Sequence, residues 1–323
     1  MCTAISYHNG DHYFGRNLDL EHGFQETVTI TPRRFPFHFR ATNPLNSHHA
    51  MIGMASVVDN YPLYYEASNE CGLSMAALNF PSNAAYYPPV KTKLNLTPYE
   101  LIPWVLGNFQ TVQELEPVIQ NLNLINIPFN TSLPLSPLHW MISDNQKSVV
   151  VESTKLGLNI YENPINVLTN NPDFPFHLNN LSFYLNVTSS EPTNRFSSKI
   201  DLKQYSRGMG GIGLPGDLSS ASRFVRAAFA LHNSASQNSE LENVNQFFHI
   251  LDFVAQPSGC VKYGSEFEKT LYSSCCNTQS GIYYYKTYSN SSISAIHMNH
   301  QDLNDTKLYS FPLRKESKIH YEN

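Results

Sequence analysis

Residues 1–20 read MCTAISYHNGDHYFGRNLDL, two β-rich runs on either side of Asn9-Gly10. Asn-Gly flanked by alternating apolar residues is a strong hairpin signal, because both residues tolerate the positive φ that tight strand turns require. A two-residue loop at Asn9-Gly10 sets Cys2 opposite Asn17; a loop shifted to Gly10-Asp11 sets it opposite Asp19. Either register returns Arg16 and Asp19 to the neighbourhood of residue 2. Loss of Met1 ahead of a small residue would leave Cys2 with a thiol and a free α-amine, a nucleophile beside a base. The thiol, with an ordinary pKa of about 8.5, is mostly protonated at neutral pH, and the permanently charged Arg16 favours its thiolate. The α-amine, of pKa about 7.7 to 8.0, can take the thiol proton and later return it to a leaving amine, while Asp19 holds the ammonium. On spacing alone, Arg16 and Asp19 also fit an ordinary surface ion pair.

Beyond the hairpin the strand pattern continues through ETVTITP, FHFRA, AMIGMASVV and LSMAALNF. Capping boxes at Thr97-Pro98-Tyr99-Glu100 and Thr111-Val112-Gln113-Glu114 then open two helices, the first with Leu101, Trp104 and Val105 on one face. Strands return in LHWMISD, SVVVES and LNIYEN, and a second helix pair is expected in SSASRFVRAAFALHNSA and NVNQFFHILDFVAQ. Strands in GIYYYKTY and SISAIHM end the order. Two stacked antiparallel sheets with helix pairs on their outer faces would bury every apolar stripe. Residues 186–207, rich in Ser, Thr and Asn, read as a long excursion.

The whole chain narrows the function classes. Its 323 residues contain 41% hydrophobic and only 15% charged residues, which suits an enzyme-sized globule rather than disorder. A net charge of −5 offers no basic surface for phosphate, so no nucleic-acid partner is expected. Neither a signal segment nor a membrane-length apolar run is present, and five cysteines without a C-x-x-C spacing argue against a disulfide framework or zinc ribbon. These features predict a cytoplasmic protein without metal, cofactor or membrane association.

The blocks MCTAI, YFGRNLDL, GLSMAALNFP, LHWMISD, VLTNNP and GLPGDLSSASRFVR, in this order along essentially the full chain, resemble the choloylglycine hydrolase family, and its bile-salt branch most closely. The resemblance implies an α+β, four-layer αββα N-terminal nucleophile hydrolase over residues 2–323 as a single domain, with Met1 removed, and a homotetramer. It implies cleavage of the amide in glycine- and taurine-conjugated bile salts through a thioester. Cys2 matches the nucleophile; Arg16 and Asp19 match the residues that stabilise the thiolate and orient the amine. Asn79 matches the side-chain half of an oxyanion hole, Asn170 an anchor for the α-amine, and Arg223 part of the supporting charge network. The acyl pocket maps onto Leu18, Phe24, Val58, Tyr65, Phe129 and Leu133, an apolar and aromatic set suited to a steroid face. Penicillin V acylases of the same family commonly carry Tyr where this chain has Asn79, which favours the bile-salt branch. A penicillin V acylase or another N-acyl amidase stays open as an alternative, as does a non-catalytic binder of amphipathic acyl ligands.

Other motifs carry less. Gly208-x-Gly210-x-x-Gly213 has the form of a dinucleotide fingerprint, but no buried strand precedes it and Pro215 interrupts the helix that should follow, so it reads as a loop packing near the site. Thirteen histidines include no H-E-x-x-H. Cys275-Cys276 reads as core or loop.

Overall fold

The structure is a computed structural model that describes residues 1–235 and 238–323. In chain order its strands are β1 (Cys2–Asn9), β2 (Asp11–Leu20), β3 (Thr27–Thr31), β4 (Met51–Val58), β5 (Tyr61–Asn69), β6 (Ser74–Asn79), β7 (Leu94–Leu96), β8 (Leu122–Leu124), β9 (Leu138–Ser143), β10 (Ser148–Thr154), β11 (Gly157–Glu162), β12 (Val167–Leu168), β13 (Val261–Tyr263), β14 (Glu266–Asn277), β15 (Ile282–Thr287), β16 (Asn290–His297) and β17 (Tyr309–Pro312). The helices are α1 (Leu101–Asn108), α2 (Val112–Ile119), α3 (Phe174–Asn180), α4 (Ser220–His232) and α5 (Glu240–Asp252).

The hairpin forms, but in neither expected register. Asn9 pairs with Asp11 across Gly10 alone, which sits at φ 72°, and Cys2 falls opposite Leu18. The difference of one residue decides which side chains share a face, because strand side chains alternate. Cys2, Arg16 and Leu18 lie together on one face of the hairpin, and Thr3, Asn17 and Asp19 on the other.

One sheet runs β12-β1-β2-β14-β15-β16 with β13 paired to β14, and the other runs β11-β10-β9-β6-β5-β4-β3-β17. Both are antiparallel. Ala4, Met54, Ala76, Met141 and Val150 are buried between them. Helices α4 and α5 cover the outer face of the first sheet, against Ile5, Tyr7 and Tyr13; α1 and α2 cover the second with Leu101, Val105 and Leu115 against Trp140 and Ile142. This is the expected αββα layering.

Local signals explain the helix starts. Thr97 N donates to Glu100 Oε2 at 2.9 Å, and Thr111 Oγ1 accepts from Glu114 N at 3.2 Å. The FHFRA segment forms only one bridge, Phe37 to Leu45, because Phe37 is drawn into a ring cluster with Phe35, Phe39 and Tyr61. The Gly208–Gly213 loop packs on the excursion: a side chain at Gly210 would meet the carbonyl oxygens of Ser190 and Thr188. Cys275 and Cys276 are buried within β14.

Two bulges flank the Cys2 end of the hairpin. Met54 and Ala55 pair with Glu66 and Tyr64, leaving Tyr65 as the extra residue; Asp19 and Leu18 pair with Thr270 and Tyr272, leaving Leu271. Bulges re-aim neighbouring side chains at the cost of one ladder pair. The strands otherwise approach so closely that a side chain at Gly15 would lie 2.0 Å from the Ser274 carbonyl oxygen.

Candidate active site

Polar side chains converge on the backbone of residue 2. Asn170, which follows β12, accepts from Cys2 N through Oδ1 at 2.8 Å, and its Nδ2 donates to Asn79 O at 2.7 Å. Asn170 is itself fixed: its amide donates to Ser220 Oγ at 2.8 Å and its carbonyl accepts from His177 Nε2 at 2.9 Å. Arg223 lies on α4, whose start is set by Ser219 Oγ accepting from Ser222 N. Its Nη1 donates to Cys2 O and to Thr3 Oγ1 (2.7 Å), and its Nη2 to Asn170 Oδ1 (2.8 Å). A fully buried guanidinium is thus spent on the carbonyl of residue 2 and on the asparagine that holds its nitrogen.

Arg16 approaches from the inter-sheet face of β2. Its Nη1 donates to Ala77 O at 2.5 Å and Tyr65 O at 3.2 Å, and Nε lies 3.9 Å from Glu66 Oε2. Nη2 is buried and has no hydrogen-bond partner among the described residues. Burial works against the Arg16 charge, but the Cys2 thiol, Tyr272, Glu66 and Asp19 together hold its pKa above the ordinary value. Asp19, on the helix face, accepts from Thr270 Oγ1 at 2.6 Å through Oδ1; Oδ2 is 4.0 Å from Arg223 Nη1 and otherwise unbonded among the described residues. Burial raises the Asp19 pKa, opposed chiefly by Arg223 and the chain-terminal ammonium.

That ammonium, on Met1, donates to Asp19 O at 2.6 Å and pairs with Glu268. Asp19 N in turn donates to Met1 O at 2.9 Å. Removal of Met1 would free the Cys2 nitrogen beside Asn170 Oδ1. Two histidines near this network are tied to backbone carbonyls through Nε2, and His177 Nδ1 has no hydrogen-bond partner among the described residues. His177, whose pKa burial pushes down to about 4, donates to the Asn170 carbonyl; His139 sits between Glu152 and Thr169 O.

All six candidate polar residues, Cys2, Arg16, Asp19, Asn79, Asn170 and Arg223, therefore fall in one connected cluster. Of the apolar candidates, Leu18 is paired across from Cys2, and Tyr65 gives its carbonyl to Arg16. Phe24 follows through Ser56, whose Oγ donates to Phe24 O and bonds Tyr65 Oη. Val58 ends β4 opposite Tyr61, and the Phe129 ring contacts Tyr61 and Tyr99 while Arg40 lies over it. Leu133 closes the same loop through Asn130. A surface cavity of about 540 Å³ near Pro88 and Leu158 contains none of these residues. Glu66, Glu268, Thr270 and Ser220 were not foreseen from sequence. The signal for Glu66 was a lone acid inside the apolar run LYYEAS.

Comparison with known proteins places this geometry among relatives. A model of the linear amide C–N hydrolases, choloylglycine hydrolase family, matches residues 2–311. A bile salt hydrolase/transferase of Lactiplantibacillus plantarum is 53% identical over the full length of both chains, and one of Clostridium perfringens is 36% identical, also over both full chains. The crystal structure of a mutant conjugated bile acid hydrolase from Clostridium perfringens superposes with a TM-score of 0.92, 36% identity and full coverage of both chains. A penicillin V acylase from Agrobacterium tumefaciens shares the fold, with a TM-score of 0.76 at 19% identity, covering 96% of this chain and 90% of the acylase.

Proposed function

The chain belongs to the choloylglycine hydrolase family of linear amide C–N hydrolases, and on that footing we propose that it is a bile salt hydrolase whose nucleophile is Cys2, exposed as the first residue by loss of Met1. The observation that carries the mechanism is the grip on the backbone of residue 2: Asn170 on its nitrogen and Arg223 on its carbonyl. Such a grip serves a residue whose own amine takes part in the reaction.

The α-amine accepts the thiol proton, and Arg16, whose Nη2 has no hydrogen-bond partner among the described residues, favours the thiolate. The thiolate attacks the substrate amide carbon, forming a C–S bond, while charge collects on the carbonyl oxygen. Asn79, fixed by Asn170, supplies the donor to that oxygen. The C–N bond then breaks, the ammonium returns its proton to the leaving amine, and the acyl group remains as a thioester on Cys2. Water, deprotonated by the freed α-amine, attacks the thioester and releases the bile acid and the thiol. Asp19, with an oxygen left open, holds the ammonium form.

The acyl pocket is assigned to Leu18, Phe24, Val58, Tyr65, Phe129 and Leu133, an apolar and aromatic set that would put recognition on the steroid body. The relatives named above support bile-acid conjugates as substrates, and Asn79 supports the same branch. We also assign one catalytic domain over residues 2–323, a cytoplasmic location and a homotetramer. The exposed cysteines Cys71 and Cys260, both free, fit a reducing compartment. Phe183, Leu185, Phe196 and Tyr205, each more than four-fifths exposed between residues 181 and 208, supply more apolar surface than an isolated chain usually leaves in water.

A panel of glycocholate, taurocholate and phenoxymethylpenicillin, read as free glycine, taurine and acyl product, tests the assignment. Turnover of both bile-acid conjugates is expected. Turnover of phenoxymethylpenicillin alone would move the chain to the acylase reading, and tight binding of glycocholate without turnover by Met-processed protein would make it a binder.

A further inference from the structure

Glu66 is buried at 1% exposure at the Tyr65 bulge of β5, and its carboxylate crosses to the opposite sheet. There it accepts Tyr272 Oη at 2.8 Å, Ser274 Oγ at 2.9 Å and Tyr283 Oη at 2.5 Å, and it lies 3.9 Å from Arg16 Nε. Among the described residues it is the carboxylate within ion-pair distance of Arg16. No role in the reaction derived above falls to it. Resting on the reading of Cys2 as nucleophile and Arg16 as its cationic support, we propose that Glu66 is a positioning residue: its charge partly balances Arg16 and so fixes how strongly the guanidinium favours the Cys2 thiolate.

A buried guanidinium is tolerated only with a counter-charge or a full set of acceptors. Arg16 has backbone carbonyls on Nη1, the Asn17 carbonyl at 3.4 Å on Nε with the Glu66 carboxylate at 3.9 Å, and no partner on Nη2 among the described residues. Before the thiol ionises, Glu66 is the nearest anion; after it ionises, Cys2 and Glu66 share one cation. Facing Arg16 are Cys2, Glu66, Tyr272 and, on the other side of the strand, Asp19, which is engaged by Arg223 and Thr270. Facing Glu66 are Arg16, Tyr272, Tyr283, Ser274 and the Cys276 thiol. Burial raises the Glu66 pKa, and Arg16 and the three hydroxyls oppose that rise. Three hydroxyl donors aimed at one carboxyl group form a cradle for its ionised state.

Removing the Glu66 charge leaves Arg16 unbalanced beside the thiol, so the thiolate should form more readily. The test is the pH dependence of Cys2 alkylation by iodoacetamide in Met-processed protein, followed by mass spectrometry of the N-terminal peptide so that Cys71 and Cys260 do not contribute. Glu66→Gln should move the midpoint to lower pH by about half a unit or more. Glu66→Asp, which restores the charge, should return it toward wild type. Arg16→Gln should move it upward. If Glu66→Gln does not fold, the comparison of Arg16→Gln with the Arg16→Gln/Glu66→Gln double variant remains. The double variant, free of an unpaired buried carboxylate, should unfold at higher urea than Arg16→Gln alone and again titrate lower. An unmoved or raised midpoint in folded Glu66→Gln, or no gain of stability in the double variant, overturns the proposal. If Arg16→Gln itself leaves the midpoint unmoved, it is the reading of Arg16 that fails, whatever Glu66 does.

Discussion

Asn170 Oδ1 lies 2.8 Å from the backbone nitrogen of Cys2, and the same oxygen accepts Arg223 Nη2 at 2.8 Å. One side-chain atom therefore ties the first strand to α4 and fixes the nitrogen that would become the α-amine on loss of Met1. Asn170→Ala should fold, yet lose about a hundredfold in kcat through misplacement of that amine. Stopped-flow detection of the acyl-enzyme locates the loss: it belongs in thioester formation. A loss confined to KM would make Asn170 a substrate contact.

Asn79 is held by its own carbonyl, which accepts Asn170 Nδ2 at 2.7 Å. If its side chain meets the developing oxyanion, Asn79→Ala should raise the barrier by about 2.7 to 4 kcal/mol, with KM changing far less. Steady-state kinetics on glycocholate separate the two. Near-normal kcat with a raised KM would take Asn79 out of the oxyanion hole.

Phe129 sits among Tyr61, Tyr99 and Arg40 rather than against the Cys2 cluster. Its contribution should fall on the steroid end of the substrate. Phe129→Ala and Leu133→Ala should lower kcat/KM for glyco- and tauro-conjugates by similar factors. A loss on one conjugate class alone would shift this loop to the amino-acid end.

His12 is buried at the turn end of the hairpin between Ser6 Oγ (2.9 Å) and Thr278 Oγ1 (3.1 Å). Burial, reinforced by His8, pushes its pKa down to about 3, and burial brings His177 to about 4. Both are neutral in the folded chain at pH values where the unfolded chain begins to bind protons. Stability should therefore fall as pH drops below about 6.5, approaching 1.4 kcal/mol per pH unit for each group, until the folded pKa values are reached. His12→Gln, although less stable at pH 7, should lose less between pH 6.5 and 4.5. Urea midpoints at several pH values give both slopes; parallel curves would contradict the assignment.

The hairpin, and the return of Arg16 and Asp19 to the neighbourhood of Cys2, were legible because Asn9-Gly10 is a local signal and both residues lie on the strand that pairs with β1. Its register was not, since a single glycine bridges Asn9 and Asp11 and only the assembled sheets choose the face that Arg16 takes. The long strand β14 escaped notice because its buried positions include Glu268, Thr270, Ser273 and Ser274, so the apolar alternation that announces a strand is absent. Those residues are polar because they serve Met1, Asp19, Asn17 and Glu66. The strand Tyr61–Asn69 was missed for a related reason: a charged Glu66 and a bulge at Tyr65 break its pattern where it approaches Arg16. Sequence periodicity fails at the places where the site required something other than a regular, apolar strand.

The proposed base is the α-amine of Cys2 itself. One extra residue ahead of Cys2 leaves the thiol, Arg16 and the fold in place but turns the amine into a peptide nitrogen that cannot take a proton. The decisive measurement is glycocholate hydrolysis by this extended chain, with its first residue verified by mass spectrometry and its fold by circular dichroism. Folded protein, a Cys2 thiol that still alkylates, and turnover lower by at least about a thousandfold are expected. Undiminished hydrolysis by a folded, fully extended chain would contradict the α-amine as base and leave that role to another group, such as a histidine.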